Sequence, residues 1–161
     1  GGKKIGRDGM EREKKICRYE RIQAQLAGLL VKTPDLQARM ATLAALLYHK
    51  FDHYFWCGFY RLLEGDLVVG PYQGPLACQV LARGRGVCWE AVRRGETVTV
   101  PDVRQFPGHI ACDPRSLSEI VVPVRDKLGT IVAVLDIDRD KTGRFDGADA
   151  IGLERIVELL K

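Results

Sequence analysis

The hydrophobic period changes once along this chain, at His53, and that change limits what it can fold into. Before it, apolar residues recur at helical spacing. Over residues 11–31 they fall at Ile16, Tyr19, Ile22, Leu26, Leu29 and Leu30. Thr33-Pro34 predicts an N-cap and first helical position for a second helix over residues 34 to about 49, with Leu36, Met40, Leu43, Leu46 and Leu47 inward. After His53 the texture is that of strands. Residues 54–60 are rich in aromatics, and residues 66–72 follow a Glu64-Gly65 turn, so the two read as a hairpin. A short helix around residues 87–92 opens at Gly84-Arg85-Gly86 and closes at Gly95. A brief strand at 98–100 precedes a long loop at 101–118, a length that in compact domains often carries function. Residues 120–124 and 130–138 form a last hairpin turning at Lys127-Leu128-Gly129, and a final helix over 146–160 is capped by Asp146. Two helices, hairpin-linked strands and a closing helix predict an α+β domain: a central, mostly antiparallel sheet with the N- and C-terminal helices packed on it.

No repeat, low-complexity stretch or linker divides the 161 residues, so residues 11–161 are expected to form a single domain. Met10 is a candidate natural start, and residues 1–10 read as a tag or flexible tail. Hydrophobic residues at 46% exclude a disordered chain. The net charge of +4 resides entirely in the first 21 residues, where eight Lys/Arg face four Asp/Glu; the remainder balances seventeen against seventeen. A nucleic-acid-binding stripe would have to appear in that neutral body, so no nucleic-acid partner is expected. No apolar run approaches the roughly 18 residues of a membrane span, and a cytoplasmic location without membrane attachment is expected.

Five cysteines are an odd number and too sparse for a disulfide scaffold. Cys57 sits mid-strand and reads as core filler, and Cys17 lies in the first helix. Cys78, Cys88 and Cys112 each adjoin flexible backbone, and a helix N-terminus favours the thiolate. Composition alone leaves redox chemistry, metal binding and structural filling open. A zinc site needs paired ligands, and His109-x2-Cys112 is a single pair, so neither a metal nor a cofactor is expected.

The segments Gly70-Pro71-Tyr72-Gln73-Gly74-Pro75-Leu76-Ala77-Cys78, Gly84-Arg85-Gly86-Val87-Cys88, Gly108-His109-Ile110-Ala111-Cys112-Asp113, Ser118-Glu119-Ile120-Val121-Val122-Pro123 and Val134-Leu135-Asp136-Ile137-Asp138 stand in one order and one spacing. Together they resemble the free methionine-(R)-sulfoxide reductases, which are GAF-domain enzymes. The resemblance runs from about residue 54 to 159. It implies a GAF-like fold and thiol-dependent reduction of free methionine-(R)-sulfoxide. Cys112 matches the nucleophile, which becomes a sulfenic acid. Cys78 is implied as principal resolving thiol and Cys88 as the alternate, with a thioredoxin-like dithiol reducing the resulting disulfide.

Glu119, Asp136 and Asp138 match the acidic set that would receive the substrate ammonium. Asp136 and Asp138 alternate across Ile137 and so share one strand face. Trp56 and Tyr60 match an aromatic wall for the S-methyl group and, four apart on a strand, also share a face. His109 could orient the Cys112 thiol or simply be solvated. One departure is Trp89, where the family usually has a small residue after the matching cysteine; its bulk bears on how exposed Cys88 is. A homodimer through the terminal helices is the expected assembly. The alternative function is a non-catalytic GAF sensor for a small ligand, which has no need of three placed cysteines.

Overall fold

The computed structural model describes residues 7–109, 112–143 and 145–161, with side chains from residue 11 onward. Helix α1 (Arg7–Leu30) begins earlier than its apolar stripe predicts, and residues 1–6 of the expected tail lie outside the described residues. Its buried face is Tyr19, Ile22, Leu26 and Leu30, while Ile16 and Leu29 face outward. Helix α2 (Leu36–Lys50) starts two residues later than expected. Asp35, not Thr33, is the N-cap: its carboxylate accepts from the Ala38 amide at 2.9 Å. Thr33 instead accepts from the Asp35 amide, setting the turn before the cap. Met40, Leu43, Ala44 and Leu47 form the inward stripe of α2.

Strands β1 (Trp56–Leu63) and β2 (Asp66–Gln73) form the first hairpin, with Glu64 and Gly65 both at positive φ in the turn. Helix α3 (Val87–Arg94) and strand β3 (Val98–Val100) follow. Strands β4 (Ser118–Arg125) and β5 (Ile131–Arg139) make the second hairpin, and α4 (Gly147–Val157) closes the domain. Its Asp146 cap forms a reciprocal box with Asp149. The sheet order is β2-β1-β5-β4-β3, and every strand pair in it is antiparallel.

Two cores result, one on each face of the sheet. On the helix face, Cys57 and Phe59 of β1, Ile120, Val122 and Val124 of β4, and Ala133, Leu135 and Ile137 of β5 pack against α1, α2 and α4. The period of two sends Trp56 and Tyr60, Val121 and Val134 to the other face, beneath α3 and the irregular segments. The site lies on this second face. The segment after β2 returns along that strand's outer edge, where the Val69 amide donates to Gln79 and the Leu81 amide donates to Leu67. That return fixes the position of Cys78.

Candidate active site

Strand register assembles the acidic floor. Asp138 of β5 lies opposite Trp56 of β1 on one side and Glu119 of β4 on the other. Asp136, one repeat along, lies between Gly58 and Val121. Glu119, Asp136 and Asp138 are each at most 8% exposed, so three carboxyl groups share one buried patch. Burial first, then the neighbouring acids, pushes Asp136 and Asp138 well above the ordinary carboxylate range. Asp136 Oδ1 has no hydrogen-bond partner among the described residues. Burial and mutual repulsion thus favour the protonated forms of Asp136 and Asp138 in this floor.

The aromatic wall stands beside it. The Trp56 ring stacks on Tyr60 at 5.7 Å and on Tyr72 at 5.1 Å. Gly58 permits this: a Cβ there would run into the Tyr72 side chain and come within 2.8 Å of the Trp56 ring. Trp56 Nε1 donates to the Pro75 carbonyl at 3.1 Å, and the Tyr60 hydroxyl donates to the Cys78 carbonyl at 3.2 Å. Both rings therefore anchor the segment that carries Cys78.

Cys78 and Cys112 are joined by a disulfide, their Cα atoms 5.6 Å apart, and Cys112 lines the pocket. Cys88, second residue of α3, lines the same pocket but is a free thiol, 4% exposed. The expectation that a helix start would lower its pKa is overturned. Burial, followed by repulsion from Asp136, Glu119 and Asp138, raises the Cys88 thiol well above its usual value. Desolvation and three acidic neighbours outweigh one helix terminus. Cys57 is fully buried on the opposite face, and Cys17 is exposed on α1.

The loop carrying Cys112 is braced by a two-point pair. Arg115 Nε and Nη2 donate to Asp113 at 3.0 and 2.7 Å, and the Arg115 guanidinium lies 4.9 Å over the Phe55 ring. The Leu117 amide donates to the Arg139 carbonyl, tying the loop to β5. Phe55, Gly58 and Arg115 escaped the sequence reading. For Gly58 a signal existed, since glycine inside an aromatic strand marks a close approach. The Arg115–Phe55 contact spans sixty residues and leaves no local signature. His109 lines the pocket half-buried rather than solvated, and neither ring nitrogen has a hydrogen-bond partner among the described residues. Ile110 and Ala111 of the quoted motif lie outside those residues.

The pocket encloses a cavity of about 60 Å³ with the disulfide closed. A redox-linked cysteine pair above a buried acidic floor and an aromatic wall suits a cationic, sulfur-bearing small molecule. Residues 34–160 match the GAF domain family. A free methionine-R-sulfoxide reductase from Escherichia coli is 41% identical over 143 residues, covering 89% of this chain and 86% of that protein. GAF domain-containing protein A of Dictyostelium discoideum is 46% identical over 143 residues, 88% of this chain and 89% of its own. The structure of free methionine-R-sulfoxide reductase from Neisseria meningitidis in complex with its substrate superposes with a TM-score of 0.86 at 40% identity, over 91% of this chain and 87% of that one.

The chain belongs to the GAF-domain free methionine-(R)-sulfoxide reductase family. It is accordingly an oxidoreductase. The loops laid over the sheet carry Cys78 and Cys112, and the sheet brings Trp56, Tyr60, Glu119, Asp136 and Asp138 to the same face.

Proposed function

We propose that the protein reduces free methionine-(R)-sulfoxide to methionine, with Cys112 as nucleophile and Cys78 as resolving cysteine. The observation that carries this is the Cys78–Cys112 disulfide, whose Cys112 lines the same pocket as Glu119, Asp136 and Asp138. The substrate α-ammonium sits on the acidic floor, where exclusion of water strengthens the charge pairing. The S-methyl group lies against Trp56 and Tyr60. The Cys112 thiolate attacks the sulfoxide sulfur while a carboxyl group that has kept its proton donates it to the sulfoxide oxygen. The oxygen passes to Cys112 as a sulfenic acid, methionine leaves with its sulfur reduced by two electrons, and the cysteine sulfur is oxidised by two. The Cys78 thiol then attacks Cys112 Sγ, expelling water and closing the disulfide.

A thioredoxin-like dithiol reopens the disulfide by exchange, which calls for a reducing compartment such as the cytoplasm. Among the described residues, no helix is long and apolar enough to cross a membrane. Outward-facing Ile16 and Ile151, which line a groove between α1 and α4, support the expected homodimer. Cys88 remains the alternate resolver, and its burial and raised thiol favour Cys78 for the principal role.

The deciding experiment is a chirally resolved assay with free R- and S-methionine sulfoxide and dithiothreitol, with the N-acetyl amide of the sulfoxide as a peptide-like control. Turnover is expected for the free R epimer alone, and none for Cys112→Ser. Undiminished activity in that variant, or equal use of the blocked substrate, would overturn the reading.

A further inference from the structure

With Cys78 and Cys112 joined, Cys88 is the thiol left in the pocket, and the fold places it among oxygens. Its Sγ, a Glu119 carboxylate oxygen and an Asp136 carboxylate oxygen all lie within 4.8 Å of one another. The three groups arrive on α3, β4 and β5, and each is more than nine-tenths buried. Asp136 adds an independent sign that a ligand is missing. Its Oδ1 is sealed from solvent and accepts no hydrogen bond from any described residue. A buried carboxylate oxygen in that condition is costly unless a proton or cation answers it.

The donor set discriminates among cations. Magnesium and calcium take oxygen ligands, so a sulfur in the set argues against them. Zinc-class ions accept cysteine sulfur at about 2.3 Å and carboxylate oxygen at about 2.0–2.2 Å, which puts neighbouring ligand atoms roughly 3.5 Å apart on a tetrahedron. Closing the cluster to that size needs about 1 Å of side-chain movement, within reach of the flexible Glu119. We propose that Cys88, Glu119 and Asp136 form a binding site for a thiophilic divalent cation of the zinc class, available in the disulfide form of the protein. Water from the pocket completes the fourth position. The metal–sulfur bond replaces the Cys88 S–H bond, the proton leaves to solvent, and no atom changes oxidation state. A thiolate and two carboxylates then face one dication. No pair in the sequence could announce this site, because its ligands lie 31 and 17 residues apart along the chain.

The site stands independently of the reductase reading, and its test reads metal rather than turnover. The full chain, oxidised at Cys78–Cys112, is titrated with Co²⁺ as a spectroscopic probe and then with Zn²⁺. One equivalent of Co²⁺ should bind with a thiolate-to-cobalt charge-transfer band in the near ultraviolet, and one equivalent of Zn²⁺ should bleach it. Cys88→Ser should abolish the band and weaken binding at least tenfold. Glu119→Gln should keep the band while weakening binding, so the proposal stays testable if the first variant folds poorly. Cys17→Ser should change neither. Absence of the band in the oxidised wild type overturns the proposal; so does a band that survives Cys88→Ser or disappears in Cys17→Ser.

Discussion

The Tyr60 hydroxyl donates to the main-chain carbonyl of Cys78 at 3.2 Å, joining the aromatic wall to the redox loop. In the proposed reaction, a substrate that presses on the wall presses on the segment that presents Cys78 to Cys112. Burial first and then the neighbouring Asp136 drive the Tyr60 pKa up, so the hydroxyl keeps the proton it donates. Tyr60→Phe retains the ring and removes the tether. Loss of one hydrogen bond of about 1 kcal/mol corresponds to roughly a fivefold effect. We expect disulfide closure after a single turnover to slow by about that factor, with KM nearly unchanged, followed by rapid-quench thiol labelling. An unaltered closure rate would show that the loop does not depend on this bond.

Gly58→Ala should damage substrate binding more than any conservative change in the wall itself. The added methyl collides with Tyr72 and comes within 2.8 Å of the Trp56 ring, so Trp56 must leave its stack. KM should rise at least tenfold, with altered tryptophan fluorescence. A folded variant with wild-type KM and fluorescence would refute the steric account.

The acidic floor sets a pH dependence whose sign follows from linkage. Asp136 and Asp138 have folded-state pKa values above their unfolded ones, so the native state holds more protons. The stability they contribute is complete below the ordinary carboxylate pKa near 3.9 and is lost as pH rises through the raised values. The ligand-free protein should thus lose stability from these groups on moving up from about pH 4. Asp136→Asn removes both a titrating group and its repulsion of Asp138. Its Tm relative to wild type should increase with pH, as read by calorimetry across the acid-to-neutral range. A difference independent of pH would sever the link between burial and titration.

Much of this architecture was legible in the chain. Period-two alternation put Trp56 with Tyr60, and Asp136 with Asp138, on common faces, because side-chain direction on a strand is a local property. The Asp146 cap was legible for the same reason. What escaped depended on distant partners. The helix start at Cys88 suggests a reactive thiolate, yet burial, reinforced by Asp136 and Glu119 converging from β5 and β4, reverses the sign. Thr33 and Asp35 are both competent caps, and only the reach of Asp35 to the Ala38 amide decides between them. Helix faces were blurred at Ile16 and Leu29, which obey the period but lie at the edge of the buried stripe.

The helix layer offers a test of stability that leaves the pocket alone. Tyr19, 3% exposed on α1, donates to Asp149 Oδ1 at 2.6 Å, and the Tyr54 hydroxyl lies 2.7 Å away, left to donate to Tyr19. Asp149 is 1% exposed; Lys15 Nζ and the Asp146 amide satisfy its other oxygen at 2.8 and 2.9 Å. Tyr19→Phe keeps the ring against Phe51 but leaves a buried carboxylate oxygen and the Tyr54 hydroxyl each short of a partner. An unsatisfied buried group costs about 1–3 kcal/mol, more when charged, and a domain of this size shifts Tm by about 2–4 °C per kcal/mol. Tyr19→Phe should therefore melt roughly 5–10 °C below wild type. Because this network lies across the sheet from the pocket, kcat/KM measured well below the melting range should stay within about twofold of wild type. An unchanged Tm would mean that water or a shift of α1 supplies the lost donor, and that the α1–α4 contact does not rest on this pair.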